Sequence, residues 1–397
     1  MAPPPLSLIG LLCAAFVCVG AGVAVVGPSL AGLATAVERP LADLGALLSA
    51  MFTGMLLSQA AAGSLVDRYG VRPAILTSFV VYAVGTITIP LAATLTWLLL
   101  SGLVMGLGFG LASISINSLA ATLVPHRPGF VLNLINVWYA GGTVAGPLLA
   151  SVLLDRGLRA AYVLLVAGAS LTLLMPLAWL LVPAHQAAPG ADSRATPARA
   201  PWRPSPALVL IGVLVLLYGG IEAGFGGWVA SYVQLTTEAT AARAALLTSL
   251  FWLSYLGGRV AATVATLRVR PGYVLAATCV ITLVGGLTLG IGHQRLTPTI
   301  VAIVLLGFGV GPVYPSMFAL VTSRFKERPA TAVSVTASLG SVGAIILPWV
   351  MGRALPVAEG AVVAWMPAGF AAGMLVALWA SQTLHAGART AGAADGR

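Results

Sequence analysis

The chain has 397 residues, of which 59% are hydrophobic and only 8% charged, against roughly 25% charged in an average globular domain. A soluble body of this size cannot cover its surface with so few charges, so soluble enzymes, disulfide-stapled secreted domains and disordered scaffolds are excluded, and lipid is the expected solvent. The net charge of +10 comes from 20 Lys and Arg scattered along the chain without a basic block, so it points to arginines facing anionic lipid rather than to nucleic acid.

A membrane helix needs about 20 predominantly apolar residues. Cutting the chain at its charged and Pro/Gly-rich punctuation leaves twelve such stretches, at 6–31, 43–65, 73–91, 96–121, 130–154, 161–183, 206–233, 244–266, 273–292, 298–322, 331–352 and 361–384. Their continuity rules out an outer-membrane barrel, whose strands alternate over about ten residues. The expected class is all-α integral membrane. With the N-terminus cytoplasmic, fourteen basic residues fall on inner segments and six on outer loops, which places both termini inside. No cleavable signal peptide is expected, because the first apolar run lacks a charged leader and exceeds the roughly 7–15 residues of an h-region.

Helix 1 holds Cys13 and Cys18, which with Cys279 lie in apolar runs without CxxC spacing. They read as small membrane-core residues rather than redox or metal groups. Helix 2 ends in the string from Gly63 through Asp67, Arg68, Gly70 and Arg72 to Ile75. Gly70 permits a tight reversal at positive φ. Asp67 suits the positive end of a neighbouring helix, and Arg68 suits exposed carbonyls or carboxylates. A basic turn that serves only topology is the plainer alternative. Helix 4 carries the glycine run Gly106–Gly110 and the amide Asn117. Helix 5 places Asn133 and Asn136 on one face, and then Gly142, Gly146 and Pro147. Small residues four apart let two helices approach closely, and a proline bends its helix.

Residues 184–205 are rich in Ala, Pro and Arg and cannot span a membrane; that composition suits a flexible linker. It divides the chain into six helices plus six. Helix 7 follows with Tyr218, Glu222, Trp228 and Tyr232, and five glycines between 219 and 227 invite a broken or bent helix. Nine of the ten acids fall at loops or helix ends; Glu222 alone is deep. A charged, unpaired acid there costs about 2.5–3.5 kcal/mol on insertion scales, so Glu222 is the candidate to load and release a proton. The alternative is a permanently neutral acid bonded to Tyr218 or a backbone carbonyl. Helix 8 adds Trp252 and Tyr255 and ends near Arg259, which is expected to snorkel toward the interface. Helix 10 adds Gly307–Gly311 and Tyr314. Amides beside aromatic rings suit neutral polyhydroxyl ligands, since rings stack on CH faces and amides bond hydroxyls. Interhelical bonding is the competing role for each residue.

The halves also repeat. Val71–Pro73 recurs at Val269–Pro271 and Gly142–Val144 resembles Gly340–Val342, both offset by 198, while Gly106–Gly110 meets Gly307–Gly311 at 201. Three matches in order at nearly one spacing support a six-helix unit duplicated in tandem.

The string at the end of helix 2 resembles the GxLaDRxGrkxxl signature of the major facilitator superfamily. Gly63, Leu65, Asp67, Arg68 and Gly70 match, Val71 replaces the usual first basic residue, and Arg72 stands for the second. The Gly-Pro element at Gly142–Pro147 is similar to one on the same helix in many members. Stretches of helices 5, 7 and 10 look like the fucose-permease and glucose-type branch, the sugar permeases. Two departures matter. Gly102 occupies the place where many members carry an arginine, and helices 1 and 4 lack the acids of that branch's proton-coupled members.

The resemblance implies a major facilitator fold of two pseudo-symmetric six-helix bundles, 1–183 and 206–384, with a cytoplasmic linker at 184–205 and a cytoplasmic tail at 385–397. It implies a monomeric secondary carrier in the inner (cell) membrane, working by rocker-switch alternating access on a small polar organic solute, first of all a sugar. Because the acids of helices 1 and 4 are missing, Glu222 is left as the candidate for proton coupling, and a facilitator with no coupling at all is the alternative. Gly63, Asp67, Arg68, Gly70 and Arg72 would form the conformational latch; Gly142, Gly146 and Pro147 would serve helix packing. Substrate contacts are expected from Asn117, Asn133, Asn136, Tyr218, Trp228, Tyr232, Trp252, Tyr255 and Tyr314. Proton-driven efflux of drug-like or metabolite compounds is the first alternative, and a non-transporting membrane sensor the second. Without a phosphate loop, an HExxH or a clustered ligand set, and with His126, His185, His293 and His385 in loops or tails, neither enzyme chemistry nor a cofactor or metal is expected.

Overall fold

The computed structural model describes residues 5–123, 128–184, 204–326 and 328–395. The linker expected at 184–205 lies almost wholly outside them. Among the described residues twelve helices are long and apolar enough to cross a membrane, and no strand occurs. They are α1 (Leu6–Ala36), α2 (Leu41–Tyr69), α3 (Val71–Leu91), α4 (Leu95–Leu123), α5 (Val131–Asp155), α6 (Tyr162–Leu181), α7 (Pro206–Thr236), α8 (Ala241–Ala265), α9 (Pro271–Ile291), α10 (Leu296–Arg324), α11 (Thr331–Ala354) and α12 (Val357–Leu384). Several outrun the apolar runs that announced them, because helix continues into the polar interface while hydropathy marks only the hydrocarbon core. The last helix continues to Asp395, into the stretch expected as a tail.

The helix ends follow local chemistry. Gly70 closes α2 at φ 88°, with its N–H on the Val66 carbonyl at 2.8 Å, a conformation only glycine adopts freely. Ser205 caps α7, its hydroxyl accepting from Leu208 N at 3.3 Å, with Pro206 in the first turn. Outward-facing Leu173, Trp179 and Val376 are mostly exposed, which only lipid makes acceptable.

The chain parts into two compact units. One comprises Met1–Ala198, Val229–Ser231 and Thr240–Ser249; the other comprises Arg199–Trp228, Tyr232–Ala239 and Leu250–Arg397. Within the first unit α1 packs on α5 and α6, α4 on α2 and α3, and α3 on α6. Within the second, α7 packs on α11 and α12, and α9 on α10 and α12. Contacts at the glycines pair α8 with α10, so the same five helix pairs recur six helices later.

The repeat extends to single residues. A Cβ added at Gly106 or Gly110 of α4 would overlap the Met51 or Met55 carbonyl oxygen of α2. Added at Gly307 or Gly311 of α10, it would overlap the Phe251 or Tyr255 carbonyl of α8. Gly142 and Gly146 of α5 lie against the Val17 and Ala21 carbonyls of α1, and Gly340 and Gly343 of α11 against Val215 and Leu216 of α7. At most of these glycines backbone meets backbone, whereas Gly340 rests on the Val215 side chain.

Candidate functional site

Span α7 is not uniform. It is α-helical over Pro206–Gly219, widens to a π turn over Gly220–Phe225 and returns to α-helix over Gly226–Thr236. The glycine-rich stretch therefore yields a widened turn rather than a break. Such turns concentrate at functional sites, and Glu222 sits in this one.

Glu222 accepts a hydrogen bond at Oε1 from the Tyr255 hydroxyl of α8. The same hydroxyl accepts from Nη2 of Arg259 at 2.6 Å and lies 3.2 Å from the Tyr218 hydroxyl. A phenol has one proton and two lone pairs. With its proton on Glu222, Tyr255 accepts from both Arg259 and Tyr218, so its capacity is filled. Tyr255 thereby joins acid, base and a second phenol at one atom. The Tyr314 ring of α10 stacks on Tyr218 with centroids 6.1 Å apart, and Phe318 lies 4.8 Å beyond it. Tyr218 and Tyr255 are buried, while Glu222, Arg259 and Tyr314 are partly exposed.

Arg259 departs from its expected role. Instead of snorkelling, it lays its guanidinium over the Tyr255 ring, 4.6 Å from the centroid, and donates through Nε to the Gly311 carbonyl at 3.1 Å. Helix α10 explains that acceptor. Four residues after Gly311 stands Pro315, which has no N–H to offer the Gly311 carbonyl. A helix carbonyl is left open by sequence, and an arginine fills it.

The other expected contact residues divide. Trp252 packs edge-on against Tyr255 at 5.4 Å, and its indole N–H is buried without a hydrogen-bond partner. Trp228 and Tyr232 are fully buried and lie outside the cluster: Trp228 donates to the Pro348 carbonyl at 2.8 Å, and the Tyr232 hydroxyl meets His293 Nδ1 at 3.2 Å. Their polar atoms serve packing of the second unit. In the first unit, Asn136 donates to Asn117 Oδ1 at 3.1 Å and to the Leu132 carbonyl at 2.8 Å, while Asn117 donates to the Ser113 carbonyl at 2.7 Å. Asn133 is exposed on α5 and takes no part in that bridge.

A model of the Major Facilitator Superfamily matches residues 12–348. The chain belongs to that family. Rv1877 of Mycobacterium tuberculosis (strain ATCC 25618 / H37Rv), an uncharacterized MFS-type transporter, is 30% identical over 232 residues, covering 57% of this chain and 31% of that one. This chain thus spans under a third of the relative's length. Among solved structures, nucleoside transporter NupG aligns with a TM-score of 0.79 at 14% identity, covering 95% of this chain and 99% of that one. The E. coli fucose:proton symporter FucP aligns at 0.61 and 19%, covering 94% and 98%. At such identities the likeness is one of fold. Sugar permeases and other transporters are thus among the proteins the chain resembles, and it is a multi-pass membrane protein.

The superfamily signature at the end of α2 takes a definite form. Arg72 donates through Nε to the Val182 carbonyl at 2.5 Å and lies over the Trp179 ring at 5.5 Å, tying the start of α3 to the end of α6. Arg68 lies over Tyr69 at 5.3 Å. Asp67 is exposed, and Gly63 faces open space. Pro147 lies inside α5 as a continuous helix.

Proposed function

We propose that the chain is a proton-coupled secondary carrier that moves a small hydroxyl-bearing organic solute, a sugar first of all, across the cell membrane by alternating access. Glu222 carries the proton. The observation that supports this reading is the joining of Glu222, Tyr255 and Arg259 at one hydroxyl inside a π turn. Intramembrane ionisable groups are costly and mark solute or proton paths. Tyr314 and Trp252 supply ring faces beside the acid. The basic-residue bias supports a cytoplasmic position for both termini, and Asp67 with its neighbours acts as the latch of the cytoplasmic face.

The reading is tested with purified protein in liposomes carrying an imposed pH gradient and a panel of pentoses, hexoses and nucleosides. Accumulation of at least one solute should follow the gradient, and Glu222→Gln should abolish that accumulation while sparing solute exchange. Gradient-driven accumulation that survives in Glu222→Gln removes Glu222 from the mechanism. Absence of flux with every solute favours the sensor alternative.

A further inference from the structure

A cavity of about 170 Å³ lies in the first unit where α1 and α3 end and α5 turns into α6. Pro28, Gly32 and Leu33 of α1, Pro90 of α3 and Leu154 of α5 form apolar walls. The hydroxyl of Ser29, which also lines it, already bonds the Val25 carbonyl at 2.8 Å. A single charged residue, Arg159, lines the cavity. It is exposed, and its guanidinium makes no hydrogen bond or ion pair among the described residues. The acids of that end of the unit, Glu38, Asp43 and Asp155, do not line the cavity.

The second unit closes the corresponding corner. Gly157, between α5 and α6, and Gly360, at the start of α12, both take positive φ, 75° and 88°. A Cβ added at Gly360 would meet Thr236 Cγ2 of α7 at 2.8 Å and Tyr232 Cε2 at 3.6 Å. A Cβ added at Gly157, or at Gly32 of α1, would meet nothing within 4 Å. Tyr232, fully buried in α7, thus fills in one copy what stays open beside α1 in the other. The opening belongs to the first unit and not to the shared skeleton.

An empty hole in packed protein is unfavourable. An apolar cavity of about 150 Å³ stays dry and takes up a molecule the size of benzene, so this one suits about six carbons of a hydrocarbon chain. Its place at the helix ends is the depth at which headgroups meet hydrocarbon. A guanidinium at that depth favours a phosphate, and the exposed Leu91 and Leu158 beside it continue the apolar surface outward. We propose that the cavity binds an anionic phospholipid, with the phosphate on Arg159 and the first carbons of one acyl chain between α1, α3 and α5. The lipid is a resident ligand of the first unit and not the cargo, so the site stands whether or not Glu222 carries a proton.

The experiment uses the purified full chain in detergent, with dioleoyl phosphatidylglycerol, dioleoyl phosphatidylcholine, inorganic phosphate and hexanoate as probes. Retained lipid is counted by native mass spectrometry, and thermal stabilisation is read alongside. Phosphatidylglycerol should bind about fivefold more tightly than phosphatidylcholine at one site, the factor that one basic residue at a membrane surface supplies. Arg159→Gln should erase that preference, and Arg159→Lys, which keeps the charge, should retain it. Arg156→Gln, on the same loop but off the lining, should leave it intact. Gly32→Leu, which grows a side chain into open space, should raise stability in lipid-free micelles and reduce the retained lipid by one molecule. Ala36→Leu, also on the lining, serves as the second filling variant should Gly32→Leu fail to fold. Equal binding of the two lipids by the native chain overturns the proposal, and so does a preference that survives Arg159→Gln. A lipid count unchanged by filling the cavity overturns it as well, and an equal effect of Arg156→Gln reduces it to surface charge. Stabilisation by inorganic phosphate that equals that by phosphatidylglycerol would mean an anion site without a chain. The same result with hexanoate would mean a site for soluble amphiphiles, and either removes the phospholipid.

Discussion

The two units share a skeleton and differ in what they bury. In the first, α4 rests its glycines on Met51 and Met55 of α2; in the second, α10 rests its glycines on Phe251 and Tyr255 of α8. Position for position, Met55 faces Tyr255 across the repeat. The polar link of the first unit is a neutral pair of amides, Asn117 and Asn136, whereas that of the second holds Glu222, Arg259 and two phenols. Close helix contact tolerates nothing beyond a hydrogen at the crossing, so those glycines persist in both copies. Residues beside the crossing have no such constraint, and only the second unit links through charged groups there. The superfamily scaffold is thus duplicated, while the candidate chemistry is not.

Matched substitutions can break this comparison. The largest effect is expected at the shared glycines. Gly106→Val and Gly307→Val each drive a side chain into a main-chain carbonyl that cannot turn aside. Overpacking of this kind costs about 1–3 kcal/mol and at times more, and the two losses should be similar in unfolding titrations in mixed micelles. Loss at one site alone would mean that the second unit is not held by the same contacts as the first.

The next effect separates the units. Tyr255→Phe removes the one hydroxyl that serves Glu222, Arg259 and Tyr218, leaving charged groups short of a partner. A cost of about 1.5–3 kcal/mol follows. Tyr82→Phe is the control in the first unit: its hydroxyl donates to the Val19 carbonyl, at 2.7 Å, and about 1 kcal/mol is expected. Under the proposed role of Glu222, Tyr255→Phe should also weaken flux driven by an imposed pH gradient, while Tyr82→Phe should leave it intact. Equal losses of stability would show that the Tyr255 hydroxyl does no more than an ordinary buried phenol.

The skeleton was legible in the sequence and the site only half so. Lipid fixes helix length, so a count of apolar runs finds twelve spans without knowledge of their neighbours. Glu222 and Tyr218 were legible because depth and register belong to a single helix. Arg259 was misread because its partners lie on other helices: register along α8 shows that it is near the end, and says nothing of Gly311. One signal was available. Pro315 necessarily leaves the Gly311 carbonyl without its helix partner, and an open carbonyl inside a span calls for a donor from another helix. Trp228 and Tyr232 were grouped with Glu222 because they share its helix, but they lie beyond the π turn, which shifts the faces of the helix that follows it.

The smallest effect concerns the amide bridge. Asn136 also donates to the Leu132 carbonyl of its own helix, so its link to Asn117 is one of two bonds from the same nitrogen. Interhelical hydrogen bonds in membranes average about 0.6 kcal/mol, because the unfolded chain in lipid also finds partners. Asn136→Leu should therefore cost well under about 1.5 kcal/mol. Its effect on transport discriminates between the two roles left open for the amide. If Asn136 only ties α4 to α5, flux should follow stability and stay near the native level. If it also bonds the hydroxyls of the solute, the substitution should raise the apparent KM for solute several-fold with kcat little changed.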